Sequence, residues 1–574
     1  MTARPALGQQ TTTHRPTMSD EVETDRVTDI YRRIQVSGRT EIFTHLRPAT
    51  DVLADHEASV AGGGELAGVL LAVKDNVDVA GLPTTAACPS FGSVAAEDAP
   101  AVAALRAAGA VVIGKTNLDQ FATGLVGTRS PFGAVRDSRR MSHISGGSSS
   151  GSAVAVALGF ADIAIGTDTA GSGRVPAALQ GIVGIKPTIG VVSTAGVVPA
   201  CASYDCVTVF AADVPSANTA MGVMARAPGD RPFGSDTAFA AGPTPVIAVP
   251  RELPGLDARW QRAFAAAVSH AESAGMRIRS IDLTDFLDAA AVLYDGALVA
   301  ERYDAVGDVV RAGAPDLDPT VAAIITAADR WSAVELLADR RRVAALRASA
   351  SAQLDGVDAL MVPTVPAHPT ITEVDTAPVT TNSLMGTYTN FCNLFDLCAI
   401  AIPAGIVDEG ARGIAQFGVS LLSTAHRDAV LLDIAARLTG DRSTTTWPEP
   451  AGAATTELAV FGAHLRGQPL EHQLTDLGAR WAGEIATAPS YRLVALDTRP
   501  AKPGLVPDSA GRSIRGEKWV LSPAALGRFL TALPDPMTLG AITLDDGSTI
   551  TGFSCHQEAL TTATDLEVDH WLLR

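Results

Sequence analysis

Short apolar stretches alternate with alanine-rich stretches of helical length over residues 22–440 of this 574-residue chain. The apolar stretches predict strands at 66–73, 111–114, 163–166, 246–249, 278–283, 359–362, 398–402 and 416–421. The stretches between them predict helices at 101–108, 152–158, 258–274, 384–394 and 428–438. The strands are apolar throughout, as strands buried on both faces are. This alternation predicts an α/β fold in which helices cover both faces of a sheet.

A change of composition at residues 441–456, which are rich in Thr, Pro and Ala, predicts a linker to a second domain. Beyond it, shorter strands are predicted at 458–461, 492–495, 518–521 and 539–544, with a helix at 523–533. The turn sequence DDGS at 545–548 leads into a strand near 549–555 and predicts a hairpin. We therefore expect a first domain over 22–440 and a smaller α+β domain, rich in strands, over 457–574. Residues 1–21 are polar and are expected to be disordered.

The charge balance is acidic, with 44 basic against 62 acidic residues and a net charge of −18. No long basic run is present, so we expect neither a nucleic-acid nor a membrane partner. The six cysteines have neither CxxC nor zinc-ligand spacing, so we expect no metal, no cofactor and a reducing, cytoplasmic location. The N-terminus lacks the apolar core of a signal peptide, and no apolar run reaches the length of a membrane span.

A first loop rich in Gly and Ser, SGGSSSG at residues 145–151, allows several interpretations. A phosphate loop is excluded because no Gly-Lys-Ser/Thr follows it. A nucleophile elbow fits the G-x-S-x-G pattern at 147–151, but the preceding residues 137–143 are polar and do not predict the strand that an elbow needs. The loop can also supply a bridging hydroxyl to a catalytic site, or be an ordinary flexible loop.

A second loop, GTDTAGSG at residues 166–173, places Ser172 among small residues. Small residues allow successive backbone N–H groups to converge on one point, and such a nest binds an oxyanion. A serine hydroxyl beside the nest can attack a carbonyl once a base removes its proton. None of the 11 histidines lies in either loop, and the polar setting of the nearest, His143, predicts a surface position.

Lys74 is an alternative base. It follows the apolar stretch 69–73, and a lysine at the end of a buried strand is desolvated. Desolvation lowers the pKa of the amine, and a neutral amine can accept a proton from a hydroxyl. The competing interpretation is a lysine that extends to the surface, and spacing alone does not separate the two.

The sequence KDN at 74–76 and the two loops occur in the order found in the amidase signature family, which residues 22–440 resemble. The interval of 24 residues from Ser148 to Ser172 also matches that family's pattern. The resemblance implies a mixed sheet covered by helices, with Ser172 as nucleophile, Ser148 as a bridging serine, often on a cis peptide bond, and Lys74 as base. It implies an oxyanion hole formed by the backbone N–H groups of Thr169, Ala170, Gly171 and Ser172. Ala170 replaces a common Gly, which keeps the N–H donor.

A narrower resemblance, to the allophanate hydrolases, rests on the stretches 167–178, 197–201, 386–391, 462–465, 469–474 and 502–506. It implies hydrolysis of allophanate, a small urea carboxylate, to ammonia and N-carboxycarbamate by the first domain. The second domain is implied to have a γ-glutamylcyclotransferase-like fold and to aid decarboxylation of that product. His472 is its candidate functional residue. The resemblance also implies a homo-oligomer, which we expect to be a homodimer.

The carboxylate of allophanate needs a cationic or hydrogen-bonding clamp. Tyr294 and Arg302 match the family's substrate-carboxylate binders, and Gly124 is a weaker candidate for a backbone contact. Tyr294 and Arg302 are eight residues apart, about two turns of a helix, so both are expected on one face of a helical region at 286–350 near the site. Without the resemblance, Tyr294 would be assigned to the core and Arg302 to a surface ion pair.

The sequence alone is also compatible with other functions. The chain could hydrolyse a larger or neutral amide, for which Arg302 would not be needed. It could be the amidase component of an amidotransferase, although its acidic balance argues against the nucleic-acid surface that this role requires. It could also be a binding protein without activity, which the intact set of Lys74, Ser148 and Ser172 opposes.

Overall fold

A computed structural model describes residues 25–441 and 444–574, except for the side chains of residues 294 and 295. The segment 1–21, for which disorder is predicted, lies outside the described residues. The described residues form a large α/β unit on one mixed sheet and a smaller unit on separate sheets. This arrangement confirms the predicted fold class. Within the described residues, no helix combines the length and the apolar character needed to cross a membrane.

The first unit is organised by a sheet that has eleven strands within the described residues. In their order across the sheet, the strands are Phe43–Leu46, Val111–Thr116, Leu70–Lys74, Ile163–Asp168, Cys206–Ala211, Val183–Lys186, Leu397–Asp408, Ile414–Thr424, Ala359–Pro363, Val246–Pro250 and Arg277–Ile281. Leu70–Lys74 is parallel to both of its neighbours. Leu397–Asp408 is antiparallel to both of its neighbours. The sheet is therefore mixed, as the family resemblance implies.

Both faces of this sheet are buried under helices. Successive side chains of a strand point to opposite faces, and those of Leu70–Lys74 enter two different apolar clusters. Leu71 and Val73 belong to one cluster, and Leu70 and Ala72 to the other. The helices of this unit are Arg26–Ser37, Ala49–Gly62, Pro100–Ala107, Ser150–Ala157, Val175–Gln180, Val214–Met224, Ala258–Ser273, Thr284–Asp295, Val299–Ala312, Pro319–Thr326, Ala333–Gln353, Ile371–Thr376, Pro378–Met385, Asn390–Leu394 and Asp428–Thr439.

The predicted helix at 384–394 is wrong as a single element, because the chain forms two helices there, Pro378–Met385 and Asn390–Leu394. The break falls at Gly386, where an added Cβ would lie only 2.4 Å from the side chain of Asn390. Between the two helices the hydroxyl of Tyr388 donates a hydrogen bond to the carbonyl oxygen of Pro254 at 2.7 Å. This contact belongs to tertiary packing, which the local sequence pattern does not report.

Tyr294 and Arg302 lie in the predicted helical region but on two consecutive helices, so their spacing of eight residues does not correspond to two turns of one helix. Thr284–Asp295 ends at Gly296, whose backbone is extended, and Val299–Ala312 begins a new helix. An added Cβ at Gly296 would lie 2.5 Å from the carboxylate of Asp339, which accepts the next backbone N–H at 2.7 Å. The close approach of this carboxylate explains the break. The side chain of Tyr294 lies outside the described residues.

The second unit has its own apolar core on two sheets. Across the first sheet the strands are Arg480–Ala486, Arg515–Leu521, Thr456–Val460, Thr549–Cys555 and Met537–Thr543, and across the second they are Lys502–Pro507, Tyr491–Leu496 and Thr564–Leu566. Met537–Thr543 and Thr549–Cys555 pair as the predicted hairpin. The second unit also contains the helices His472–Thr475 and Pro523–Thr531. The likeness to a γ-glutamylcyclotransferase fold stays a prediction.

The described part of the predicted linker is packed against the first unit. Trp447 is 2% exposed, and its ring meets that of Phe233 edge to face, with 5.6 Å between the centroids. Glu449 forms an ion pair with Arg480 of the second unit. The segment therefore contacts both units through buried or half-buried side chains.

Candidate active site

Lys74, Ser148 and Ser172 form a continuous chain of side-chain contacts. The Nζ atom of Lys74 lies 2.8 Å from the Oγ atom of Ser148, which lies 3.0 Å from the Oγ atom of Ser172. Lys74 and Ser148 are completely buried, and Ser172 is 4% exposed. The peptide bond between Gly147 and Ser148 is cis, as the resemblance implies for a bridging serine. The geometry therefore allows a proton to pass from Ser172 through Ser148 to the lysine.

The mixed sheet brings these side chains together from distant parts of the chain. Leu70–Lys74 and Ile163–Asp168 are parallel neighbours, so their carboxyl ends reach the same edge of the sheet. Lys74 ends the first strand, and the loop that carries Ser172 follows the second. Ser148 reaches the same edge from the loop that precedes helix Ser150–Ala157.

Burial gives Lys74 the acid–base properties of a proton acceptor. Loss of hydration lowers the pKa of the amine to about 7, although the carboxylates of Asp119, Asp205 and Asp168 act in the opposite direction. A substantial fraction of the amine is therefore neutral at neutral pH. The interpretation of Lys74 as a lysine that extends to the surface is excluded, because its side chain has no exposed area.

Asp168 organises the loop that carries Ser172. Its carboxylate accepts hydrogen bonds from the backbone N–H groups of Gly171 at 2.9 Å and Gly173 at 3.0 Å. It also forms a bidentate pair with the guanidinium of Arg174, with both distances 2.9 Å and both side chains completely buried. Burial is the largest single effect and raises the pKa of Asp168. The pair with Arg174 and the other nearby donors and charges together outweigh it, so the pKa lies below its usual range. A fixed negative charge therefore holds the loop in its turn.

These hydrogen bonds affect which backbone N–H groups are available to the predicted oxyanion hole. The backbone N–H group of Gly171 donates to Asp168, so this group supports the predicted hole less than the others do. In the part of the chain that the structure describes, the backbone N–H groups of Thr169, Ala170 and Ser172 have no hydrogen-bond acceptor. These N–H groups remain available to a developing oxyanion beside the Ser172 hydroxyl.

Glycine is required at position 171 for two reasons. Its φ of +133° lies in the left-handed region that favours glycine. An added Cβ would lie 2.4 Å from the Oγ1 atom of Thr389. The hydroxyl of Thr389 therefore packs directly against the turn that precedes Ser172.

Arg302 is buried, with 6% of its area exposed. Its Nε atom has no hydrogen-bond partner among the described residues, and no ion pair with a described residue involves its guanidinium. Its positive charge acts on Asp205, whose carboxylate accepts a hydrogen bond from the hydroxyl of Thr169 in the Ser172 loop. The neighbouring Glu301 accepts the backbone N–H of Ser203 at 2.9 Å, which fixes helix Val299–Ala312 over this region. The assignment of Arg302 to a surface ion pair is therefore excluded.

Gly124 lies against the carboxylate of Asp119, where an added Cβ would be 2.7 Å from the Cγ atom. Asp119, Thr167 and Arg174 were not predicted as site residues from the sequence, although each contacts the site. Thr167 and Arg174 lie in or next to the second loop, so the loop itself was their only signal. Asp119 lies far from either loop in the sequence and had none.

The two histidines weighed in the sequence analysis occupy unexpected environments. His143 is buried, not at the surface, and its ring packs edge to face against His368 with 5.2 Å between the centroids. His472 is exposed, and its Nδ1 atom lies 3.0 Å from the carbonyl oxygen of Pro469. The buried histidine nearby is His464, which stacks on Phe553 at 4.8 Å and contacts the amide oxygen of Gln473 at 2.9 Å.

Comparisons with known proteins agree with this geometry. The amidase family model matches residues 38–432, and the model of the allophanate hydrolase C-terminal domain matches residues 456–571. The urea amidolyase of Saccharomyces cerevisiae is 41% identical over 524 residues, which cover 86% of this chain and 28% of that protein. The urea amidolyase of Lachancea kluyveri is likewise 41% identical over 524 residues, with the same shares of the two chains covered.

A solved structure of Kluyveromyces lactis allophanate hydrolase superimposes with a TM-score of 0.84 at 35% identity, covering 95% of each chain. The chain thus spans little more than a quarter of the urea amidolyases, but almost the whole of this structure. Residues 38–432 make up well over half of the chain. The chain therefore belongs to the amidase family and carries, after the amidase domain, an allophanate hydrolase C-terminal domain.

Proposed function

We propose that this chain hydrolyses allophanate to ammonia and N-carboxycarbamate, with Ser172 as nucleophile, Ser148 as proton relay and Lys74 as base. The observation that carries the proposal is the series of contacts from Lys74 to Ser172, in a region that also holds the buried Arg302, which forms no ion pair with a described residue. The structural likeness to Kluyveromyces lactis allophanate hydrolase over nearly the whole chain supports the choice of substrate.

The reaction begins when neutral Lys74 accepts the proton of Ser148 while Ser148 accepts that of Ser172. The oxygen of Ser172 attacks the terminal amide carbonyl of allophanate, and the resulting oxyanion accepts hydrogen bonds from the free N–H groups of the loop at 169–172. Donors of this kind contribute about 3 kcal/mol each when they are aimed at the charge that develops.

Collapse of the tetrahedral intermediate breaks the bond to the terminal nitrogen. The proton held by Lys74 returns through Ser148 to that nitrogen, and ammonia leaves. Water then attacks the acyl-enzyme by the same relay, which releases N-carboxycarbamate and restores the Ser172 hydroxyl. The lysine is therefore neutral at the start and at the end of each half-reaction.

Substrate selection is proposed to depend on Arg302, with Tyr294 and the backbone of Gly124 as further contacts. A buried guanidinium that forms no ion pair with a described residue costs free energy, because burial removes its hydration and the charge of Asp205 compensates it only through space. A substrate carboxylate supplies the missing negative charge and accepts hydrogen bonds in a planar, bidentate geometry. This requirement favours a small anionic amide over a neutral one.

The second domain is proposed to aid decarboxylation of N-carboxycarbamate. A cavity of about 1070 Å³ in this domain is lined by the basic residues Lys502, Arg499 and His556 and by the acidic residues Asp497, Asp535 and Glu558, among others. Lys502 is 8% exposed, its amine makes neither a hydrogen bond nor an ion pair with a described residue, and burial lowers its pKa. This amine is the feature of the cavity that supports binding of a dicarboxylate. The exposed position of His472 offers less support for that residue.

A comparison of ammonia release from allophanate, urea, biuret and malonamide tests the first step. Allophanate is expected to be the best substrate by kcat/KM, and Ser172→Ala is expected to abolish release while leaving the circular dichroism spectrum unchanged. A preference for malonamide would instead favour a hydrolase of another small amide. Near-wild-type activity of the alanine variant would refute Ser172 as nucleophile.

The second step is tested in the full chain by 13C NMR of the transient dicarboxylate at alkaline pH, where spontaneous decarboxylation is slow. Lys502→Gln is expected to lengthen the lifetime of N-carboxycarbamate without slowing release of the first ammonia. An unchanged lifetime in Lys502→Gln and in His472→Ala would remove the support for a catalytic second domain.

We also propose a homodimer in the cytoplasm. All six cysteines are free thiols, which supports a reducing compartment. Sedimentation equilibrium measures the assembly directly, and a mass of one chain at micromolar concentration would contradict the dimer. Fractionation of cells of the source organism tests the location.

A further inference from the structure

Asp119 is a buried carboxylate that the proposed mechanism does not use. It follows the strand Val111–Thr116 and is completely buried. Its carboxylate oxygens accept backbone N–H groups from Val126 at 3.2 Å, Gly127 at 2.9 Å and Arg129 at 3.0 Å. Burial has the largest effect and raises the pKa of Asp119 above its usual range, although these three donors and the positive charge of Arg129 act in the opposite direction. An ionised carboxylate accepts hydrogen bonds but donates none, so three N–H donors match the charged form.

The same residue is in direct contact with the bridging-serine loop. The backbone N–H of Asp119 donates to the carbonyl oxygen of Ser148 at 3.2 Å. At Gly147, an added Cβ would lie 2.2 Å from the Oδ2 atom of Asp119. The carboxylate therefore occupies the space beside the peptide bond that carries Ser148. Any displacement of Asp119 moves the loop on which the proton relay depends.

Asp119 also contributes to the electrostatic environment of the base. The charged groups that act on Lys74 are the carboxylates of Asp119, Asp205 and Asp168, and the effect of Asp119 is the largest of the three. Asp168 is neutralised by its buried pair with Arg174. Asp119 is held by backbone N–H groups and forms no ion pair with any described residue, although the positive charge of Arg129 acts on it. Its charge is therefore less compensated than that of Asp168.

We propose that Asp119 is a positioning residue that fixes the Ser148 loop beside Lys74 and whose negative charge strengthens Lys74 as a base. This inference rests on the proposed function in one respect: it takes Lys74, Ser148 and Ser172 as the catalytic triad. It does not depend on which amide is the substrate. Without the charge of Asp119, the protonated amine loses an attractive interaction, so its pKa falls and the amine stays neutral to lower pH.

The test measures the rate at which a small fluorophosphonate labels Ser172 in the full chain between pH 5 and 9. This probe needs an activated serine but no amide substrate. The labelling rate of the wild-type chain is expected to rise with pH, with a midpoint near 7. In Asp119→Asn the midpoint is expected about one pH unit lower, and the maximal rate about 10- to 100-fold lower because the Ser148 loop is displaced.

Asp428→Asn is the matched control. Asp428 is also a buried carboxylate that accepts a backbone N–H, from Thr188 at 2.8 Å, but it is not among the charges that act on Lys74. Its removal is expected to reduce stability and to leave the midpoint unchanged. Asp119→Ser serves as a second variant if Asp119→Asn does not fold. The serine also removes the charge, but it does not direct an NH₂ group at three backbone N–H donors.

The proposal is overturned if the Asp119 variants keep either the wild-type pH midpoint or the wild-type maximal rate of labelling. A merely structural role of Asp119 would lower the maximal rate without shifting the midpoint, so the midpoint separates it from the proposed electrostatic role. Equal labelling of the wild-type protein and of Ser172→Ala would refute the assignment of Lys74, Ser148 and Ser172 as catalytic residues, and this proposal with it. Failure to hydrolyse allophanate, with normal labelling, would contradict only the proposed substrate.

Discussion

The amine of Lys74 contacts the hydroxyl of Thr167 as well as that of Ser148, with 2.6 Å between Nζ and the Oγ1 atom of Thr167. Thr167 belongs to the strand that is parallel to the one ending at Lys74. A neutral amine has two N–H groups and one lone pair. If the Thr167 hydroxyl accepts one N–H group, the lone pair can point at Ser148, as a proton acceptor requires.

Thr167→Val removes this acceptor while keeping the shape of the side chain. We expect kcat to fall about 10-fold, the equivalent of ~1.4 kcal/mol, because the lone pair of Lys74 is no longer oriented. KM is expected to change little, since Thr167 has no part in the proposed carboxylate clamp. Thr167→Ser keeps the hydroxyl and should retain most of the activity. Equal losses in both variants would point to packing instead of orientation.

The pH dependence of kcat/KM follows from the state of Lys74. The protonated amine cannot accept a proton, so activity is expected to rise with pH through an apparent pKa of about 7 and to be lost below it. Steady-state kinetics on allophanate between pH 5.5 and 9 measure this limb. Activity that is constant down to pH 5.5 would be incompatible with Lys74 as the base.

The sequence was sufficient for the architecture. Buried strands are continuous apolar runs, so both central strands were predicted, although 66–73 begins four residues before Leu70–Lys74 and 163–166 ends two residues before the end of Ile163–Asp168. The proximity of Lys74 to the two loops required the family resemblance, because a lysine after an apolar run is compatible with either burial or exposure. Neighbouring parallel strands then explain why both segments meet at one edge of the sheet.

Long-range side-chain contacts set the parts that were not predicted. The break at Gly296 depends on Asp339, which is distant in the sequence, and the helix pattern on either side contains no sign of it. The engagement of the Gly171 N–H by Asp168 is a local contact, yet it depends on the turn of the loop, which composition does not specify. Asp119 acts from a segment without any recognisable motif.

Arg302→Gln removes the proposed carboxylate clamp. We expect KM for allophanate to rise and kcat/KM to fall about 10- to 100-fold, because a hydrogen bond to a charged group contributes about 1.5–3 kcal/mol. Hydrolysis of neutral malonamide should be unaffected. Arg311→Gln is the matched control on the same helix, since Arg311 is exposed, pairs with Asp308 and lies over the ring of Tyr303. Equal losses on both substrates would refute a role in anion binding.

Gly171→Ala tests the loop geometry. The new Cβ would require a strained φ and would collide with Thr389, so we expect loss of nearly all activity and a destabilisation of about 1–3 kcal/mol from strain alone. Gly313→Ala separates the two effects, because Gly313 also has a positive φ, of +68°, but nothing lies within 4 Å of its added Cβ. Activity assays and thermal unfolding of both variants should show a loss of stability in each and a loss of activity only at Gly171.

Arg174→Met breaks the buried pair with Asp168. The remaining carboxylate would be buried with its two backbone donors but without its ion pair, with only the charge of Lys186 still acting on it, and such a loss costs about 3–5 kcal/mol in comparable pairs. We expect a lower midpoint of denaturant unfolding and a loss of activity, because Asp168 holds the turn before Ser172. Asp168→Asn combined with Arg174→Met removes both charges, and the double variant should recover part of the stability without recovering the activity. Stability equal to that of Arg174→Met alone would show that the unpaired charge is not the origin of the loss.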